Sequence, residues 1–152
     1  MRFGMDEVRV AALGGMFAGL VAAVWSVDTP LAAAGPEIRT QFGLCHSGGG
    51  TNCVVDGDTI RLDGVKIRIA DIDAPETHPS RCAEEERLGQ AATLRLQVLL
   101  NAGPVRLAAA DRDEDKYGRK LRIVMRGNTS LGDMLVSEGL ARKWTGRRRP
   151  WC

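Results

Sequence analysis

The chain is 152 residues long, which allows one domain with appendages. Its formal charge of +2 is too mild to define a partner, so the placement of charge carries more information than its sum. The spacing of its four cysteines, with no Cys-x-x-Cys and with His46 and His78 far apart, excludes the usual zinc patterns.

The appendage comes first. From Val10 to Val27 the chain is almost wholly apolar, with Ser26 the only polar side chain. Asp28-Thr29-Pro30 breaks the run, and Ala32-Ala33-Ala34 before Gly35 offers a small-residue cleavage site. Residues 1–34 are therefore expected to be a signal peptide or, uncleaved, an N-terminal membrane anchor; a buried core helix is the remaining alternative. Asp6 and Glu7 offset Arg2 and Arg9, so the segment lacks the positive bias of most leaders. Cys45 lies too far beyond the run to serve as a lipoprotein attachment site. Either reading puts the domain outside the cytoplasm, secreted or in the periplasm or cell envelope. An even number of cysteines in a small exported domain suggests two disulfides among Cys45, Cys53, Cys82 and Cys152. Three connectivities exist. The flexible loop between Cys45 and Cys53 favours joining those two, which leaves Cys82 with Cys152.

Residues 35–52 are glycine-rich and weakly periodic, and read as a linker or loop before a compact domain over 53–152. Strands are expected over Cys53–Val55 and Thr59–Leu62. Asp63-Gly64 is a strong hairpin turn, followed by a third strand over Val65–Ile72. Alternation of Val65, Ile67 and Ile69 with Lys66, Arg68 and Ala70 sets Arg68 on the face opposite the core. A helix is expected over Glu84–Leu100, with Leu88, Ala92, Leu96 and Leu99 along one side and Asn101-Ala102-Gly103 stopping it. Val105–Ala109 and Leu121–Met125 read as strands separated by the charged stretch Asp111–Lys120. Ser130-Leu131-Gly132-Asp133 opens a short helix that closes near Gly139. No internal repeat is present. Five strands and two helices suggest a small barrel with packed helices, though propensity alone does not separate that from a general α+β domain.

Three separated motifs carry the chemistry. Val54-Val55-Asp56-Gly57-Asp58-Thr59-Ile60 is a strand entering a tight acidic turn. Arg68-Ile69-Ala70-Asp71-Ile72-Asp73-Ala74-Pro75-Glu76-Thr77 carries an arginine and ends in a carboxylate cluster. Asp115-Lys116-Tyr117-Gly118-Arg119 is a polar turn that supplies a second arginine. Alone, each has an ordinary explanation: a solvated hairpin tip, a surface glutamate, a loop lysine and tyrosine that pack or solubilise. Together, carboxylates able to hold a hard cation, a base and two guanidinium forks are what phosphodiester cleavage requires.

In order and spacing the motifs resemble the staphylococcal-nuclease (thermonuclease) family, over roughly Val54 to Trp144. The resemblance implies an α+β, mostly β fold: a five-stranded OB-fold barrel with two packed helices. It implies a calcium-dependent, sugar-nonspecific nuclease, acting as an endonuclease or exonuclease on DNA and RNA, and expected to be a monomer. It further implies that Asp58, Asp73 and the carbonyl of Ala74 bind Ca2+, with Asp56 behind them. Glu76 would activate or position the attacking water, Arg68 and Arg119 would clamp the phosphate, and Lys116 and Tyr117 would contact the neighbouring nucleotide.

Beyond Trp144 this sequence departs from the family's type members, whose aromatic substrate-facing segment and third helix have no counterpart here. Base stacking would then fall to Trp144 or Trp151. Around those two tryptophans crowd Arg142, Lys143, Arg147, Arg148 and Arg149, a mixture that suits a single-stranded nucleic-acid path or, equally, a solvated basic tail. The competing functional reading is a non-catalytic nucleic-acid-binding module on the same barrel. A disulfide-held structural domain of the envelope would explain the cysteines and the leader but leave the acid–arginine set unexplained.

Overall fold

The computed structural model describes residues 35–48 and 50–152. The expected leader or anchor, residues 1–34, lies outside the described residues. Among the described residues no helix is long and apolar enough to cross a membrane.

Among the described residues, nine strands and two α-helices form an α+β fold of the OB type. The strands are β1 (Gly43–Leu44), β2 (Cys53–Asp56), β3 (Thr59–Leu62), β4 (Val65–Ile69), β5 (Ile72–Asp73), β6 (Arg106–Glu114), β7 (Lys120–Arg126), β8 (Thr129–Ser130) and β9 (Arg142–Lys143). Helix α1 spans Ala83–Asn101 and α2 spans Leu131–Ser137. The main sheet runs β1-β2-β3-β4-β7-β6, with β8 pairing β7, and β5 pairs β9 in a separate two-stranded ribbon. Asp63-Gly64 makes the expected hairpin between β3 and β4; both residues have positive φ, 50° and 81°.

Three sequence expectations change. The third strand divides: β4 stops at Ile69, and a turn at Ala70–Asp71 re-aims the chain so that β5 pairs β9, Asp73 opposite Arg142. Val65, assigned to the core by alternation, lies at the hairpin tip and is 50% exposed. The first part of the charged stretch is strand, since β6 continues to Glu114. Its acids are held across the sheet: Asp113 pairs with Lys120 and Arg122, each at 2.7 Å, and Glu114 pairs with Lys120 at 2.7 Å.

Residues 35–52 are also more ordered than a linker. Phe42 is buried, and Asn101 at the end of α1 completes its backbone hydrogen bonds. Phe42 N donates to Asn101 Oδ1 at 2.8 Å, while Asn101 Nδ2 donates to Phe42 O at 3.0 Å. Ile38 and Val105 exchange backbone hydrogen bonds, tying the segment before β1 to the start of β6.

Helix α1 is the plate against which the site is built. Ala92, Leu96, Leu99 and Leu100 are buried in the core with Val54, Ile60, Ile69 and Ile72. Three glutamates in the first turn complement the helix dipole. Two glycines let it approach the acidic loops. A Cβ on Gly57, between Asp56 and Asp58, would lie 2.6 Å from the Ala92 Cβ and 2.8 Å from that of Ala74. One on Gly89 would lie 2.8 Å from Pro75 O and 2.9 Å from Glu76 O. Helix α2 begins on Ser130, whose Oγ accepts from Asp133 N at 3.3 Å, and a bidentate pair joins Arg95 to Glu138 between the helices. Cys45 is bonded to Cys53, and Cys82, just before α1, to Cys152.

In an unconstrained helix, alanine outperforms glycine. At position 89 the close contact reverses this: Gly89→Ala is expected to destabilise the fold by about 1–3 kcal/mol, the usual cost of overpacking. Chemical denaturation of the two proteins checks the sign. The Cys82–Cys152 bond closes a span of 70 residues. Cys152→Ser is therefore expected to cost up to roughly 4 kcal/mol on the chain-entropy account, read as a lowered Tm.

Candidate active site

The acidic turn after β2 and the end of β5 meet at one buried point. Asp58 is 1% exposed and Asp73 is 4% exposed. The Asp58 carboxylate is held on both oxygens: Oδ1 accepts from Thr59 Oγ1 at 3.0 Å, and Oδ2 from Ala74 N at 3.0 Å. The second bond links the two motifs directly. Asp56 accepts from Asp58 N at 3.1 Å through Oδ1, and so shapes the turn from behind.

Arg68, set by alternation on the face of β4 opposite the core, is nonetheless buried. The face of β4 away from the main core is covered by the site itself. Its guanidinium donates to the carbonyls of Ile69 and Ile72, the latter at 2.8 Å, thereby bracing the turn that separates β4 from β5. The same group lies 3.2 Å from Asp58 Oδ2 and 4.0 Å from Asp73 Oδ1. Trp144 covers it, with the guanidinium carbon 5.6 Å from the ring centroid.

Glu76 follows on the loop fixed by Pro75 and packed on Gly89, with its side chain part-exposed. Arg119 sits apart from the acids, held by its own turn. Asp115 accepts from the backbone N–H of Tyr117 at 2.9 Å and of Arg119 at 3.0 Å, and from Arg119 Nε at 2.7 Å. Burial works to raise the Asp115 pKa, but these hydrogen bonds and the Arg119 charge outweigh it and hold the carboxyl below its ordinary value. Arg119 and Lys116 flank the exposed Tyr117 ring, at 5.6 and 5.0 Å from its centroid. A cleft of about 360 Å³ lies beside this turn, and Arg68, Lys116, Tyr117, Arg119 and Trp144 all contribute to its wall.

The sequence motifs thus gather into a buried acid pair and a neighbouring basic cleft, joined by Arg68. Sequence reasoning left two parts unassigned. Asp115 was within the motif but without a role; its four-residue spacing from Arg119 across a glycine turn was the available signal. Arg148 was read only as part of the basic tail. Its guanidinium reaches the acids themselves, 3.6 Å from Asp58 Oδ2, 3.4 Å from Asp73 Oδ1 and in contact with Glu76 Oε1.

Among the described residues no three His, Cys, Asp or Glu side chains form a metal-holding group. The implied calcium set needs only two carboxylates and the Ala74 carbonyl, and the donor chemistry fits it. Asp73 Oδ1 is buried and accepts no hydrogen bond. Burial raises the Asp73 pKa, Arg148 pulls it down, and Asp58 pushes it up again, with a net rise. A buried acid pair with an oxygen that no hydrogen bond occupies suits a hard cation.

Fold and site together define an OB-type α+β protein with a carboxylate–arginine site. Residues 66–150 match the family described as Staphylococcal nuclease homologue, and the chain belongs to that family. It is 36% identical over 119 residues to a thermonuclease of Staphylococcus intermedius, covering 76% of this chain and 67% of that protein. It is 38% identical over 94 residues to the endonuclease YncB of Bacillus subtilis (strain 168), covering 58% of this chain and 44% of the relative. The prophage-derived endonuclease YokF of the same organism gives the same identity over 94 residues, with 31% of its length covered. The chain spans less than half the length of these two Bacillus relatives.

Asp56 supplies a pH test. Burial first, and then the Asp58 charge, push its carboxyl up to about 6. The folded state therefore holds a proton that the unfolded chain releases near pH 4. The stability from this group is complete below that pH and is lost as the pH rises through about 6. Melting curves without metal should show Asp56→Asn gaining on the parent between about pH 4 and 7; parallel curves would contradict the assignment.

Proposed function

We propose that this protein is a calcium-dependent phosphodiesterase that hydrolyses DNA and RNA, secreted or held at the cell envelope. The observation that carries the reading is the convergence of Asp58, Asp73 and Glu76 on a single guanidinium, beside a cleft lined by Arg68 and Arg119. The names of the relatives support nuclease chemistry. Two disulfides in so small a domain support an oxidising location.

In this reading Asp58, Asp73 and the Ala74 carbonyl hold calcium, whose contribution when bound is Lewis-acid polarisation of the phosphate. Glu76, reachable from solvent, orients a water and accepts its proton as the water oxygen bonds to phosphorus in line with the departing 5′ oxygen. Arg68 and Arg119 meet the charge that develops on the non-bridging oxygens. Their planar forks suit two oxygens at once, which a lysine cannot match. Arg68 is fixed by two carbonyls and Arg119 by Asp115, so neither must reorganise as charge builds. Lys116 and Tyr117 stand exposed at the cleft, placed for the adjoining phosphate or base.

The test is digestion of plasmid DNA and of RNA by the purified full chain. Calcium is expected to support cleavage, a chelator to abolish it, and magnesium to support little, because the donor set is a loose group of oxygens rather than a tight octahedron. Glu76→Gln is expected to lower turnover by about 10²–10⁴-fold, the usual contribution of a positioned base, while oligonucleotide binding persists. Binding without cleavage under every metal condition would favour the non-catalytic module instead.

A further inference from the structure

Arg148 belongs to none of the three motifs, yet it touches all three acids of the site. Its side chain is 37% exposed, whereas those of Asp58 and Asp73 are 1% and 5% exposed, so it approaches the buried pair from the solvent side. Arg68 lies on the same carboxylates from within the fold. The neighbouring Arg147 and Arg149 make no ion pair among the described residues, which sets Arg148 apart from a generally sticky tail.

The tail is tethered on both sides of this residue. Ahead of it, β9 pairs β5, and Trp144 N donates to Asp71 O at 2.9 Å. Behind it, Cys152 is bonded to Cys82, while Arg142 stacks over Trp151 at 3.6 Å and donates to Pro150 O at 3.0 Å. Residues 145–150 therefore cross the mouth of the site as a strap between fixed ends. Arg148 also forms part of the wall of the cleft that holds Arg68, Lys116 and Arg119.

From this placement we infer that Arg148 is a built-in counter-cation that competes with the divalent metal for the acid cluster, and that metal entry turns it toward the substrate phosphate as a third guanidinium. The inference rests on the metal reading proposed above. Arg68 already compensates the carboxylate oxygens from within and is held there by two backbone carbonyls. A calcium ion arriving from the solvent side therefore contends with Arg148, the second guanidinium, because a third positive charge at that separation is strongly repelled in a partly buried site. Released from the acids, Arg148 remains tethered beside Arg68 and Arg119, where an incoming phosphate supplies the anion it has lost. Metal and polynucleotide then reinforce each other through one side chain: the metal frees the arginine, and the phosphate keeps it away from the acids.

The opposite signs of the two effects make the test specific. Calcium is titrated calorimetrically into the full chain without nucleic acid, for the parent, Arg148→Ala, Arg148→Gln and, as a tail-charge control, Arg149→Ala. Both Arg148 variants are expected to bind calcium about tenfold more tightly than the parent, with Arg149→Ala close to the parent. At saturating calcium, the KM for single-stranded polynucleotide is expected to rise about tenfold in the Arg148 variants, through loss of a charge-assisted phosphate contact. Equal calcium affinity in the parent and both Arg148 variants overturns this inference alone. No calcium binding in any of the four overturns the metal reading and this inference with it. Tighter calcium binding with an unchanged KM overturns the phosphate contact and leaves only the competition.

Discussion

The structure depends on the burial of two carboxylates beside a buried guanidinium. Removing Asp58, Asp73 and Arg68 from water carries a desolvation cost that Coulomb attraction offsets only when the geometry is close and the remaining polar atoms are satisfied. Here they largely are. Asp58 accepts from Thr59 and Ala74, and Arg68 donates to the carbonyls of Ile69 and Ile72. The exception is Asp73, whose Oδ1 accepts no hydrogen bond and faces only the Arg148 and Arg68 guanidinium groups, at 3.4 and 4.0 Å. An oxygen compensated by charge alone, with no hydrogen bond to fix its partner, is where the proposed cation would be accommodated.

That cluster explains features of the fold that are awkward by themselves. The break between β4 and β5 brings Asp73 back toward Asp58, and Arg68 braces the turn. Gly57 and Gly89 lower the bulk where α1 meets the two acidic loops, so the helix presses both motifs together. The pairing of β5 with β9 then delivers the tail to the same place. The site is rigid below and tethered above.

Much of this was legible in the sequence, and the rest failed for identifiable reasons. Helix α1, the Ser130 cap and the Asp63-Gly64 hairpin were readable because each is decided by neighbours within a few residues. So were the three motifs, whose residue types are chemically unusual in combination. Phe42 was missed because its partner, Asn101, is 59 residues away. The length of β6 was missed because Asp113 and Glu114 suit a loop until Lys120 and Arg122 face them across the sheet. Arg148 was hidden among other arginines; only tertiary placement tells a charge that neutralises buried acids from one that merely solvates.

The central claim is that Asp58 and Asp73 form a cation site, and linkage between metal and stability tests it most directly. A ligand bound only to the folded state raises stability in proportion to the logarithm of its concentration once above its dissociation constant. Calorimetric melting of the full chain over a series of calcium concentrations should therefore give a Tm that climbs steadily for the parent and stays level for Asp73→Asn. A parent Tm indifferent to calcium, or an equal climb in Asp73→Asn, would contradict the account.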